Sequence, residues 1–145
     1  MNTSQFRKYG QMKKWEQFEE EVSDYMDGRR TKGSGNSAMD KGDIRCDDYL
    51  IECKCTEKDA YSLNVKTWEK IVDEAMNLDR TPLFACRSKC GDFFIWDALD
   101  YEDEDLPEEQ IVKNKTFKVD RPCQLTLQGE RITHNLICVK VDLDA

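Results

Sequence analysis

The fold is decided by the stretch Asp43-Ile44-Arg45-Cys46-Asp47-Asp48-Tyr49-Leu50-Ile51-Glu52-Cys53-Lys54. Apolar and polar residues alternate around Asp47-Asp48, which predicts a tight β-hairpin with these two aspartates at its turn. A two-residue loop places Asp43 opposite Glu52, and directly opposed residues share one face of the sheet. The strand period of two then puts Lys54 on the same face as Glu52.

Two acids and an ammonium group on one sheet face suit a divalent cation. Opposed carboxylates repel each other unless a cation lies between them, and magnesium prefers oxygen ligands. We expect Asp43 and Glu52 to bind a metal, with the backbone carbonyl of Cys53 as a third oxygen. Lys54 would position an attacking water or stabilise charge on phosphorus. The alternative is an exposed sheet face, because Glu-x-Lys is a common tripeptide.

Size and composition predict one soluble domain over residues 1–145, with 39% hydrophobic and 36% charged residues. We expect a core over about residues 11–100, an acidic loop over 97–110 and a C-terminal β extension over 115–145. No apolar run approaches the roughly 20 residues of a membrane helix. The polar N-terminus lacks the apolar segment of a secretory signal, so we expect a cytoplasmic protein with no membrane partner.

The seven cysteines indicate reduced thiols, because nothing in the sequence points to secretion. Cys53 and Cys55 together with Cys86 and Cys90 would supply four thiolates to zinc. Their spacings differ from the two-residue gap of most zinc sites, which disfavours this interpretation.

Charge is unevenly distributed within the total of −8. Residues 97–145 hold 12 Asp and Glu against 6 Lys and Arg, and the acids concentrate between Asp97 and Glu109. Basic residues cluster near the N-terminus and again at Arg29, Arg30 and Lys32. Such a cluster either forms a local phosphate-binding rim or is ordinary solvated surface.

Hydrophobic periodicity predicts helices over about 11–26 and 66–78, a polar loop over 29–40 and several C-terminal strands. This order predicts a mixed β-sheet flanked by helices, in the α/β or α+β class. Trp15, Trp68 and Trp96 are expected in the core. His134 is the single histidine, which excludes a paired-histidine metal site, and we interpret it as structural or surface-exposed.

These motifs resemble the PD-(D/E)XK nuclease superfamily, and within it the archaeal and phage Holliday-junction-resolvase group. The family pattern is a helix bearing a glutamate, a Gly-Ser-Gly loop, an aspartate opening a strand, and Glu-x-Lys on the next strand. The corresponding residues here are Glu19, Gly33-Ser34-Gly35, Asp43 and Glu52-Cys53-Lys54. Gly42 replaces the proline that gives the superfamily its name, as is common in the resolvase-like branch.

The resemblance implies a restriction-endonuclease-like core and a magnesium-dependent DNA endonuclease, with manganese as a substitute metal. It implies a homodimer that acts on branched DNA, most of all a four-way junction. Glu19 would bind a second ion or orient water, and Ser34 would lie near the site. The expected DNA contacts are Arg29, Arg30, Lys32, Ser34 and Lys41.

Three alternatives stay open. The chain is equally compatible with a nicking or restriction-like endonuclease on the same fold, because substrate choice depends on dimer geometry and loop shape. A non-catalytic DNA-binding module is disfavoured by the intact Asp43, Glu52 and Lys54. The acidic segment 97–109 would serve as a binder of basic partners, or less well as a DNA mimic, since its charge is confined to a short stretch.

Overall fold

The structure is a computed structural model that describes residues 13–26, 29–30 and 43–144, with the backbone alone at Arg29, Arg30 and Asp43. The helices in these ranges are α1 (Lys14–Met26) and α2 (Val65–Asn77). The strands are β1 (Arg29–Arg30), β2 (Asp43–Arg45), β3 (Tyr49–Cys55), β4 (Tyr61–Asn64), β5 (Thr81–Ser88), β6 (Gly91–Asp97), β7 (Gln110–Lys113), β8 (Thr116–Val119), β9 (Cys123–Gln128) and β10 (Thr133–Val141). Neither described helix is long and apolar enough to cross a membrane.

The β2–β3 hairpin has the register that the sequence predicts. The amide of Cys46 donates a hydrogen bond to the carbonyl of Tyr49 at 2.9 Å, which closes a two-residue turn at Asp47-Asp48. Asp43 consequently pairs with Glu52, and Ile44 pairs with Ile51. The turn length alone therefore sets which residues of the two strands face each other.

An eight-stranded mixed sheet follows from this hairpin, in the order β1-β2-β3-β5-β6-β10-β9-β7. Strand β5 runs parallel to β3 because α2 carries the chain back across the sheet between them. Strands β7 and β9 are also parallel, and the other neighbours are antiparallel. Strands β4 and β8 form a separate antiparallel pair. The predicted mixed sheet flanked by helices is confirmed at this level.

Each face of the sheet carries its own apolar core. On one face Phe18 and Val22 of α1 pack with Ile44 and Ile51. On the other face Trp68 of α2 packs in a cluster whose sheet residues include Phe84, Cys86, Phe93 and Ile95. Successive strand residues alternate between these two cores, so the strand period of two decides which helix each side chain meets.

Helix α2 lies within one residue of its predicted bounds. Its N-cap is Asn64, whose Oδ1 accepts a hydrogen bond from the amide of Lys66 at 2.8 Å. Trp68 is buried as predicted, and Ile71 and Ala75 are buried on the same side of the helix, whereas Met76 is 72% exposed. The helix ends at Asn77, and Leu78 is its C-cap.

Three parts of the sheet differ from the sequence prediction or extend it. Arg29–Arg30, predicted within a loop, forms a short strand that pairs with β2. Gln110–Lys113, next to the acidic loop, forms β7 and pairs with β9. The C-terminal strands continue the central sheet, because β10 pairs with both β6 and β9. Residues 98–109 hold no helix or strand, as predicted for the acidic loop.

His134 has a structural position, in agreement with one of the two roles predicted for it. It is buried on β10, and its Nε2 lies 3.0 Å from Oε2 of Glu69 on α2. A Cβ on Gly129 would lie 2.9 Å from the backbone carbonyl oxygen of Ile132 and 2.7 Å from the same Glu69 oxygen, so a glycine is needed where the β9–β10 loop approaches α2. This polar cluster fixes the C-terminal hairpin against the helix.

Arg87 joins α1 to strands β5 and β6. Its guanidinium donates hydrogen bonds to the Asp92 carboxylate at 2.7 and 3.0 Å, and it forms an ion pair with Glu21 of α1. The guanidinium carbon also lies 4.8 Å from the centre of the Phe18 ring. The hydrogen bonds to Asp92 raise the pKa of Arg87 above its ordinary value, and the Glu21 carboxylate raises it further. Burial of the guanidinium opposes this rise but is the smaller effect.

We expect the substitution Arg87→Lys to lower the free energy of unfolding by about 1–2 kcal/mol, because lysine keeps the charge but cannot form the bidentate and stacked contacts. Urea denaturation followed by circular dichroism measures this. Arg121→Lys is the matched control, since Arg121 also bonds two carboxylates, those of Glu109 and Asp120, at a more exposed position. An equal loss in both variants would contradict a special role for Arg87.

Candidate active site

Glu52 and Lys54 lie on one face of β3, two residues apart. The Nζ of Lys54 is 3.2 Å from Oε1 of Glu52. The Glu52 side chain is 15% exposed and the Lys54 side chain 41% exposed, so the carboxylate is sheltered while the ammonium reaches solvent. The pair is thus a charged group at the sheet surface that a ligand from solution can approach.

Asp43 is the register partner of Glu52. Because Cys46 and Tyr49 form a hydrogen-bonded pair, alternation along the ladder makes Asp43–Glu52 a non-hydrogen-bonded pair. Cα atoms in such pairs lie about 4.5 Å apart, closer than in the hydrogen-bonded kind. The backbone therefore brings two acidic residues together, while the Asp43 side chain lies outside the described part of the structure.

The same alternation gives the direction of the Cys53 carbonyl. The backbone groups of Ile51 point toward β2, those of Glu52 point toward β5, and those of Cys53 point toward β2 again. The Cys53 carbonyl is therefore on the side of β3 where Asp43 begins β2. Its thiol is buried in the α1-side core.

Tyr61 lies beside this pair and was not identified from the sequence. In the β3–β5 ladder Glu52 is aligned with Phe84, and the Tyr61 ring centre is 5.4 Å from that of Phe84. Burial raises the pKa of the Tyr61 phenol. The positive charge of Lys54 lowers this pKa, and the negative charge of Glu52 raises it. Tyr61 is therefore a protonated hydrogen-bond donor at neutral pH. The proximity of Tyr61 to Glu52 depends on the pairing of β4 with β8, two segments far apart in the chain, which no local pattern predicts.

Glu19 differs from its two neighbouring glutamates by its burial, at 4% exposure. Residues two apart on a helix point to opposite flanks, and Glu21 is paired with Arg87 on the β5 side. Glu19 consequently occupies the flank of α1 toward β2. Helix α1 packs on the Ile44 and Ile51 face, so Glu19 approaches the hairpin from the face opposite to Glu52 and Lys54.

The predicted DNA contacts are only partly within the described residues. Ser34, Lys32 and Lys41 lie outside them. The backbone of β1 places Arg30 opposite Ile44 and Arg29 opposite Arg45, so both arginines are on the strand next to the one that Asp43 begins.

The donor set fits a hard divalent cation better than zinc. Two carboxylates and a main-chain carbonyl are the oxygen ligands that magnesium prefers. A four-cysteine zinc site does not fit, because Cys53 belongs to the α1-side core and Cys86 to the α2-side core. The described side chains contain no cluster of three or more potential metal ligands, a set that does not include the side chain of Asp43.

Comparison with known proteins leaves the function to be argued from this geometry. No protein-family model matches the chain, and no curated protein or solved structure matches it either.

Proposed function

We propose that the protein is a magnesium-dependent DNA endonuclease with a restriction-endonuclease-like core. The observation that carries the proposal is the β2–β3 register, which sets Asp43 opposite Glu52, with Lys54 at 3.2 Å from the Glu52 carboxylate. Acid, acid and lysine in this arrangement are the functional groups of the PD-(D/E)XK pattern that the sequence resembles.

The connectivity supports the same proposal. Helix α1 is followed by an antiparallel meander of β1, β2 and β3, then by α2, and then by β5 parallel to β3. Glutamate on the first helix, aspartate on the second strand and Glu-x-Lys on the third occur in the order expected from the family pattern. Strand β4 is an insertion before α2 that pairs outside the main sheet.

Asp43, Glu52 and the Cys53 carbonyl would hold the metal ion. A bound magnesium ion would polarise a phosphoryl oxygen and orient the scissile phosphate, and manganese would replace it. Lys54 is the third charged residue of the site. Its ammonium reaches solvent beside the sheltered Glu52 carboxylate, and there it can orient water and stabilise negative charge on the phosphate. Tyr61, as a protonated phenol, can donate a hydrogen bond to a phosphate oxygen.

The resemblance alone gives Glu19 its role, which is to bind a second ion or to orient water, since its helix approaches the hairpin from the face opposite to Glu52 and Lys54. Ser34 is assigned to the neighbourhood of the site by the resemblance alone.

For the substrate we propose branched DNA, most of all a four-way junction bound by a homodimer. Arg29 and Arg30 lie on the edge strand beside β2, where backbone phosphates leaving the site would pass. A two-fold dimer would match the symmetry of a junction. Lys32, Ser34 and Lys41 would extend the same phosphate contacts.

We expect Asp43→Asn and Lys54→Ala each to reduce magnesium-dependent DNA cleavage by at least about 100-fold, because each removes a charge used in the transition state. Cleavage of labelled DNA at saturating magnesium measures this, and circular dichroism checks folding. The matched controls are Asp24→Asn on α1 and Lys58→Ala in the loop after β3, both exposed. Wild-type rates in the two site variants would refute the assignment.

We expect Glu19→Gln to lower cleavage by about tenfold or more with little change in stability, because the amide keeps the shape and loses the charge. Glu20→Gln is the control, as its helix position turns away from the β2 flank. A loss of stability without a loss of activity in Glu19→Gln would assign Glu19 to the fold instead.

We expect a four-way junction to be cleaved faster than a linear duplex of the same sequence by about tenfold or more, which corresponds to about 1.4 kcal/mol of discrimination. The two substrates are compared at equal concentration with magnesium, and sedimentation measures the oligomeric state. Equal rates would remove the junction preference and favour a nicking or restriction-like enzyme. A monomer that cleaves junctions would remove the dimer.

A further inference from the structure

A cavity of about 350 Å³ opens on the face of the sheet that carries α1, next to the acidic loop. The exposed ends of β6 and β10 form its floor, and residues near the end of α1 form one wall. Glu52 and Lys54 lie on the opposite face, so the cavity is separate from the candidate active site. Its volume is in the range of pockets for small ligands, roughly 300–1,000 Å³.

Five of the eleven residues that line this cavity are aromatic. Tyr49 packs edge-to-face on Trp96, with ring centres 5.2 Å apart and planes at 78°. Tyr101 tilts against the same Trp96 at 6.4 Å, and Tyr25 packs edge-to-face on Phe94 at 5.7 Å. Trp96 was predicted in the core, but it is half-buried and lines the cavity.

The rest of the lining consists of three acidic residues and the aliphatic side chains of Met26, Val139 and Val141. Asp100, Glu102 and Asp103 reach the cavity from the loop after β6, and no lysine or arginine is among its lining residues in the described part of the chain. Burial raises the pKa of Tyr49, and the nearby Glu102 carboxylate raises it further. Burial also raises the pKa of Asp100. The cavity is therefore aromatic, partly desolvated and negative.

The loop that bears these acids is held in place at its start. Oδ1 of Asp97 accepts a hydrogen bond from the amide of Leu99 at 2.9 Å, and the amide of Asp100 donates to the Asp97 carbonyl at 2.9 Å. The amide of Ala98 donates to the carbonyl of Asn135 on β10, also at 2.9 Å. The first acidic side chains are therefore attached to the sheet that carries the rings.

The chemistry of the lining selects among ligands. An apolar ligand would take water from the half-buried Asp100 carboxylate, which is costly, and it would gain nothing from the exposed Glu102 and Asp103. Phosphates and other anions would be repelled by the same groups. A cation gains from both parts of the lining, since aromatic faces attract cations and carboxylates accept their hydrogen bonds. A planar guanidinium uses both best, because it stacks on rings and forms bidentate bonds to carboxylates.

We propose that this cavity binds an arginine side chain from a basic segment of a partner protein. The volume suits a single side chain, and the surrounding acidic segment 97–109 attracts the basic residues that flank it. The site would recruit a partner to the face opposite to the candidate active site. It does not depend on the proposed nuclease activity.

The test is calorimetric titration of the full chain with the peptide acetyl-Gly-Arg-Gly-Arg-Gly-amide. The matched peptides carry citrulline, which has the shape of arginine without its charge, or lysine, which has the charge without the plane. The pocket variant combines Glu102→Gln with Asp103→Asn. The asparagine keeps the side-chain oxygen that accepts a hydrogen bond from the Asp105 amide at 3.0 Å. Glu108→Gln with Glu130→Gln is the control, which removes the same charge from exposed positions outside the cavity.

We expect the arginine peptide to bind at least about tenfold more tightly than either matched peptide, which is the effect of one desolvated cation–aromatic contact and its carboxylate bonds. The pocket variant should lose most of this affinity and the control variant little. Tyr101→Ala should weaken binding as well. The proposal is overturned if the arginine peptide does not bind, if lysine binds as tightly, or if the control variant loses as much affinity as the pocket variant.

Discussion

The two-residue turn at Asp47-Asp48 is the constraint on which the candidate active site depends. It fixes the pairing of β2 with β3, and a shift of one residue would send Glu52 and Lys54 to the face where α1 packs. Ile51 would then meet α2, while Ile44 would stay under α1. Burial of these two isoleucines against Phe18 and Val22 opposes such a shift, so the apolar core under α1 also holds the charged residues in register on the other face.

The sheet separates two kinds of surface. On the α2 side, a sheltered carboxylate and an exposed ammonium lie among Tyr61 and Phe84. On the α1 side, Arg87 forms ion pairs with Glu21 and Asp92. The acidic residues near Trp96 differ, because no basic residue is among the described residues that line their cavity. The proposed phosphate-binding site and the proposed arginine-binding site are therefore compatible in one chain of net charge −8, because the charges responsible are on different faces of the sheet.

Local signals predicted the hairpin, its register, both helices and the acidic loop, because turn chemistry and hydrophobic period act within a few residues. What the sequence could not reveal depends on distant pairing. Tyr61 is brought to Glu52 by strands β4 and β8, which are far apart in the chain. Trp96 is apolar and ends a strand, which predicts a core residue. It lines a cavity instead, because α1 ends at Met26 without covering that end of β6.

The position of β10 between β6 and β9 has a consequence for the order of folding. Until residues 133–141 are available, the ladder ends at β6, whose outer edge presents unpaired backbone amides and carbonyls. During synthesis the hairpin and its crossover helix would emerge from the ribosome long before the strand that closes this edge. The nascent chain therefore passes through a stage in which strand-to-strand association between neighbouring copies competes with correct closure, and slow elongation over the last third would lengthen it.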